Sequence, residues 1–364
     1  MLKYLFLCLW IINIIFSLLN KKSKIVTGFT ILGIFVIFGG NTLSVDYPGY
    51  KHAFDKLEYD EFESGYALFC TVLKHLGFTY QSVVIIIEIA MLILIIWLIK
   101  KVNGNDHLFF SVFLGFEQFM GIVQTRAFIS SVLLTVAIIY LKKAERIRAI
   151  LILLVAMTFH RSIGVFLPFF ILYDCKIKIK QLLWHIMEIS TIVLFLVAGI
   201  NLITGVNLLT SFVYFVLKGI GTLEKANIYS ETTRLGGMLY GAFYFINLFM
   251  ILFIQKKYTL CTSKRSDDYD KVMLALNLYT SMFLPFLVVS TIFYRFYRML
   301  NIANYVYGSS VMNEVSNYNR TVISIKKIKS IACIMINCVL WGILHIYFSP
   351  DVYRLVFENN MFIQ

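Results

Sequence analysis

Apolar runs approaching 20 residues recur along this 364-residue chain, the length a helix needs to cross roughly 30 Å of hydrocarbon. Lipid offers no water to satisfy the edge groups of an open sheet, so the runs predict helices. The fold class is therefore all-α, a polytopic integral membrane protein. Composition agrees, with 59% apolar and only 15% charged residues, where soluble domains carry about 25% charged. Disorder, a disulfide scaffold and a nucleic-acid-binding domain are excluded.

The net charge of +13 has its explanation in topology, because Lys and Arg near span ends stay on the cytoplasmic side. Six short segments hold 21 of the 33 cations. They are Lys21, Lys22 and Lys24; Lys100 and Lys101; Lys142, Lys143, Arg146 and Arg148; Lys176, Lys178 and Lys180; Lys256, Lys257, Lys264, Arg265 and Lys271; and Arg320, Lys326, Lys327 and Lys329. All six are placed inside. Cys8, Cys70, Cys175, Cys261, Cys333 and Cys338 show no CxxC or Cys/His metal spacing, so neither a disulfide nor a metal is implied.

With the clusters inside, the spans fall into order. Leu2 to Leu19 resembles a signal peptide, but it has no small-x-small cleavage site and runs into a lysine cluster, so it is read as a retained span. Ile25 to Phe38 brings the chain out to a loop, 41–64, whose six acids outnumber Lys51 and Lys56. Gly65 to Phe78 is read as a helix on or dipping into the surface, since a full span there would break the charge alternation. The remaining spans are Val83 to Leu98, Leu108 to Val123, Phe128 to Leu141, Ala149 to Phe159, Gly164 to Tyr173, Leu182 to Ile203, Met238 to Ile254, Val272 to Val289, Met299 to Val311 and Ile331 to Phe348. That gives about 12, within a range of 10 to 14. Val206 to Leu217 is assigned to a second outer region, 204–237. Residues 1–364 read as one helical transmembrane domain with both termini outside, and no repeat or low-complexity tract divides it.

A charge in hydrocarbon costs about 2.5 to 3.5 kcal/mol on insertion scales, so ionisable residues away from the cytoplasmic edge are informative. Arg126, His160, Arg161, Arg295 and Arg298 all fall at outer turns, with Asp46 and Glu63 bounding the acidic loop. The two legs beside His160 and Arg161 are roughly half a bilayer long at 1.5 Å per residue, which recesses that turn into a cavity. Joining the legs into one span would put Lys176, Lys178 and Lys180 outside.

Arginine in such a cavity suits phosphate, which its planar fork binds in bidentate fashion while staying ionised. Arg295 and Arg298 are three apart, on one helix face, spaced to grip one diphosphate. Each arginine has an ordinary alternative in a lipid headgroup or a loop acid. His160 is the natural general base, unless it only bonds a turn carbonyl. Asp46 and Glu63 are rival bases or simply solvated acids, and Glu88 is a candidate for a buried polar contact. Tyr47, Tyr50, Tyr59, Tyr66, Tyr294 and Tyr297 crowd the outer segments, where aromatic rings suit sugars and membrane interfaces alike.

Asp46-Tyr47 with Tyr50, Glu63-Ser64-Gly65-Tyr66, Arg126, Phe159-His160-Arg161-Ser162 with Pro168, then Tyr294-Arg295 and Tyr297-Arg298 form an ordered series. It resembles the landmarks of EpsG-like proteins, Wzy-type polymerases of capsule, exopolysaccharide and O-antigen synthesis. Ser44 and Val45 stand where relatives often carry glycine and threonine, and Ala127 where an amide is common. The resemblance implies a glycosyltransferase of the bacterial cytoplasmic (inner) membrane, of GT-C-like architecture. It would move a growing glycan from undecaprenyl diphosphate onto a lipid-linked repeat unit at the outer face, without cofactor or metal. Membrane lipids, a flippase and a chain-length regulator are the implied partners, and nucleic acid is not.

On that likeness Arg126, Arg161, Arg295 and Arg298 bind diphosphate, and His160 joins Arg126 and Arg161 as the catalytic set. Asp46, Glu63 and Tyr50 meet the acceptor or supply another base. The rivals are a lipid-linked oligosaccharide flippase or other transporter, a membrane O-acyltransferase, and a scaffold. No related halves support a transporter, no His/Asp pair supports an acyltransferase, and a scaffold has no use for recessed charge.

Overall fold

The computed structural model describes residues 1–19, 21–173, scattered helical positions between 185 and 204, 234–262, 268–288, 290–318, 325–348 and 350–362. Within these residues the chain is helical, with no strand beyond an isolated bridge between Asn41 and Asn360. The helices are α1 Leu2–Leu18, α2 Lys24–Ile34, α3 Tyr47–Lys56, α4 Ser64–His75, α5 Tyr80–Lys101, α6 Asp106–Val112, α7 Gln118–Val123, α8 Thr125–Lys142, α9 Arg146–Phe159 and α10 Leu167–Leu172. They continue as α11 Arg234–Thr262, α12 Asp268–Thr280, α13 Arg295–Arg298, α14 Asn301–Tyr318, α15 Ile325–Phe348 and α16 Asp351–Glu358. Val206 to Leu217, most of Leu182 to Ile203 and the cluster at Lys176 to Lys180 lie outside the described residues.

Helix starts follow from their caps. Ser23, Thr79 and Asn105 accept the amides of Val26, Ser82 and Leu108, which have no partner inside their own helices. Helix α4 stops at Gly77, which takes φ +84° and donates its amide to Lys74.

Three described helices are long and apolar enough to cross a membrane: Tyr80–Lys101, Thr125–Lys142 and Leu239–Lys256. Shorter apolar helices cover Leu2–Leu18, Lys24–Gly39, Arg161–Leu172 and Ile331–Ile343. Helix α8 is enclosed on almost every side, whereas α1 and α9 expose Ile11, Ile15, Leu151 and Val155, a face suited to lipid.

Several elements differ from the sequence reading. The acidic loop carries a helix of its own, α3, entered at Tyr47-Pro48, where proline is preset for a first turn. The run Leu108 to Val123 is broken by a π-helical turn, Phe113–Glu117, whose extra residue helps turn Glu117 and Gln118 into the core. Gln118 there donates to Glu88 at 2.7 Å, which gives that intramembrane acid its polar contact. The run Val272 to Val289 changes from α12 to a 3₁₀ segment, Ser281–Val288, containing Pro285, which has no amide to give.

Contacts gather one set of helix ends together. Lys142 stands over the Tyr269 ring, Gln255 and Tyr307 both donate to Asp270, Asn313 donates to the Asn103 carbonyl, and the Ser23 amide donates to His107. The described members of the clusters at 21–24, 100–101, 142–148 and 256–271 thus share one end of the bundle. Arg126 lies at the other end of α8, about 24 Å away at 1.5 Å per residue.

Candidate active site

Four segments distant in sequence meet at that opposite end, and Glu63 is their hub. It caps α4 in an extended conformation that sends its side chain across to α8 and α9. Oε2 accepts from Nη1 of Arg126 at 2.5 Å, and Oε1 accepts from the Arg161 amide at 3.1 Å. Nδ1 of His160 stands 3.4 Å from the same Oε1, an electrostatic contact beyond good hydrogen-bond length. Burial raises the pKa of Glu63, but His160, the Arg126 charge and the Arg161 amide outweigh it and bring the carboxyl down to about 2.

Arg126, in the first turn of α8, is fixed from three directions. Its Nε donates to the Tyr50 hydroxyl at 3.0 Å, its Nη1 to Glu63, and its Cζ lies over the Phe62 ring, 4.6 Å from the centroid. Tyr50 in turn packs edge-on against Tyr66 of α4. Only a planar cation with several donors satisfies these partners together.

The remaining residues surround this core. Asp46 is open to solvent at the rim, yet the protein on its other sides raises its pKa against the pull of Arg295 and Arg126. His160 has its pKa lowered by burial, a change that Arg126 and Arg295 reinforce and Glu63 opposes. Arg298 is 4% exposed and donates through Nη2 to Oε1 of Gln124 at 2.7 Å. Arg161 brings its amide to Glu63 while its side chain stays exposed.

Among the described residues, both ring nitrogens of His160, Nε of Arg295 and Nη1 of Arg298 are buried without a hydrogen-bond partner. Buried polar atoms are rarely left so, and two of these belong to cations. The arrangement suits a polyanion beside a proton acceptor.

These residues occupy one region in the order of the sequence landmarks, and the sequence model of the EpsG family matches residues 24–353. The chain belongs to the EpsG family. Its EpsG assignment points to a polysaccharide-polymerase-like role in exopolysaccharide biosynthesis and agrees with the apolar helices in making this a membrane protein. No curated protein and no solved structure matches it.

Two residues of this EpsG-family site have roles that the sequence reading did not assign, although Gly65 stands in one of its landmarks. Gln124 holds Arg298 two residues before Arg126, and its position ahead of the span arginine was the only sign of it. Gly65 sets the approach of α4 to α9, since a methyl group there would fall 2.2 Å from Oγ1 of Thr158 and 2.9 Å from its carbonyl oxygen. Gly65→Ala is expected to cost about 1–3 kcal/mol by overpacking, read as a lower melting temperature, with elongation reduced as Glu63 is displaced.

Glu63 also predicts an acid dependence. Its depressed pKa contributes stability that is complete above its ordinary value of 4.5 and lost as pH falls towards about 2. Glu63→Gln should flatten the fall in melting temperature across that window, and an unchanged slope would remove Glu63 as its source.

Proposed function

We propose that this EpsG-family protein is a polysaccharide polymerase acting as a Wzy-type, metal-independent glycosyltransferase. It moves a growing glycan from undecaprenyl diphosphate to a lipid-linked repeat unit at the outer face of the bacterial cytoplasmic membrane. About 12 spans, a GT-C-like architecture, outer termini, and 41–64 and 204–237 as extracytoplasmic elements of a single domain belong to the same proposal. The supporting observation is the meeting of Arg126, Arg295 and Arg298 with His160 and Glu63 at the end opposite the cationic clusters at 21–24, 100–101 and 142–148. The positive-inside rule makes that end the outer one.

Arg295 and Arg298 carry the open donors and take the diphosphate, with Arg161 adding an exposed guanidinium and Arg126 both charge and the clamp on Glu63. An acceptor hydroxyl attacks the anomeric carbon of the donor sugar. The bond from that carbon to the phosphate oxygen breaks, and diphosphate leaves with the electron pair, stabilised by the guanidinium charges. His160 takes the hydroxyl proton and Glu63 steadies the imidazolium, while Asp46 and Tyr50 border the acceptor.

Reconstitution in vesicles with undecaprenyl-diphosphate-linked repeat units alone tests this reading. Longer lipid-linked glycans should form without nucleotide sugar or added metal. Movement of repeat units between leaflets without elongation would instead identify a flippase.

A further inference from the structure

The short stretch 42–46 carries Asp46 to the rim of the pocket. An aspartate at an N-cap usually has an extended backbone and accepts an amide of the first helical turn. Asp46, the N-cap of α3, instead has φ −92° and ψ −6° and makes no capping hydrogen bond. It is the third residue of a turn closed by the Tyr47 amide on the Ser44 carbonyl. The course of the backbone, not a cap, therefore decides where its carboxylate stands.

Gln81, the second residue of α5, holds that backbone on both sides. Its Nε2 donates to the carbonyl of Gly39 at 2.8 Å and to that of Asn41 at 3.1 Å, and its Oε1 accepts from the Tyr47 hydroxyl at 2.9 Å. Carbonyls only accept, so the amide fits in this orientation alone. Tyr47 is also seated edge-on against Tyr80, with ring centroids 5.0 Å apart. The C-terminal segment backs the near side, where Asn359 accepts the Thr42 amide and Asn360 donates to the carbonyls of Val36 and Ile37. Tyr47 lies one helical turn before Tyr50, so the clamp grips the same helix whose hydroxyl meets Arg126.

We propose that Gln81 is a positioning residue, which clamps the two ends of 42–46 and thereby sets the Asp46 carboxylate at the acceptor side of the pocket. This rests on the polymerase reading, in which Asp46 borders the acceptor. Tyr47 is the far jaw of the clamp, and the carbonyls of Gly39 and Asn41 are the near one.

The test uses the full-length protein in nanodiscs, with the acceptor KM and kcat of elongation read beside binding of undecaprenyl diphosphate. Tyr47→Phe deletes only the hydroxyl that reaches Gln81. It should raise the acceptor KM about three- to tenfold, the share of one hydrogen bond, with kcat less affected and undecaprenyl diphosphate binding unchanged. Gln81→Leu should raise KM at least as far, and the double variant should be no worse than Gln81→Leu alone. Because both act through Asp46, Tyr47→Phe should add nothing in an Asp46→Asn background. A merely structural role would weaken undecaprenyl diphosphate binding as well, and its effect would multiply with that of Asp46→Asn. Either result, or a wild-type KM in Tyr47→Phe or in Asp46→Asn, overturns the proposal and leaves the polymerase reading intact. No elongation by the wild-type protein would sink that reading, and this proposal with it. If Gln81→Leu misfolds or Asp46→Asn leaves no rate, the KM and binding of Tyr47→Phe decide alone.

Discussion

Arg126→Ala should stop chain elongation and leave single repeat units on their lipid carrier at the outer face. Removing one partner of a buried pair strands the other, and such losses run to about 3–5 kcal/mol. If they fall on the bound transition state, that is about two to almost four orders of magnitude in rate. Glu63 would keep its charge, 8% exposed, with only the Arg161 amide and His160 beside it. Tyr50 and Phe62 would lose the guanidinium that packs them against α8. Arg126→Lys should fail almost as badly, because an ammonium lacks the planar fork that donates to Tyr50 and Glu63 through separate nitrogens. The check is the length distribution of lipid-linked glycans in cells whose only copy is the variant, with its membrane level measured in parallel. Wild-type lengths would remove Arg126 from the mechanism, and repeat units held on the inner leaflet would favour a flippase.

Much of this arrangement was legible from charge and length alone. The cations at 21–24, 100–101 and 142–148 predict one shared end, and the short legs beside His160 predict that its turn is drawn into the protein. Both are one-dimensional signals: where lysine stops, and how far an apolar run can reach. What stayed hidden depends on directions that a sequence does not carry. Glu63 drew notice with Asp46 as an end of the acidic loop and as part of a family landmark, but nothing in the string shows that Glu63 turns inward while Asp46 stays at the rim. The orientation of Glu63 follows from the extended cap of α4 and from the methyl-free surface of Gly65 against Thr158. Arg161 drew notice as a guanidinium, whereas the contact it makes at Glu63 comes from its amide, which any residue other than proline could supply. The π-helical turn at Phe113–Glu117 shifts helical register by one residue, so an unbroken 3.6-residue period misplaces Glu117.

His160→Gln should lower elongation by about two to four orders of magnitude, the usual share of a general base, and should abolish the acid limb of the pH–rate profile. Burial lowers the His160 pKa below 6.5, so the ring is neutral and able to accept a proton at neutral pH. The rate should therefore climb with pH along a limb displaced to the acid side of an ordinary histidine's and level off above it. The neighbours then predict two opposite shifts. Arg295 and Arg126 lower the His160 pKa, so Arg295→Gln should move the acid limb to higher pH. Glu63 raises it, so Glu63→Gln should move the limb to lower pH, beyond any loss of rate from a poorly oriented ring. If Asp46 is the base, its limb should also rise in Arg295→Gln, because Arg295 lowers the Asp46 pKa too, but Glu63 is not among the groups that set it. Glu63→Gln therefore decides between them. A limb that moves down with Glu63→Gln and survives Asp46→Asn assigns the proton to His160, whereas one that ignores Glu63→Gln and disappears with Asp46→Asn assigns it to the rim carboxylate.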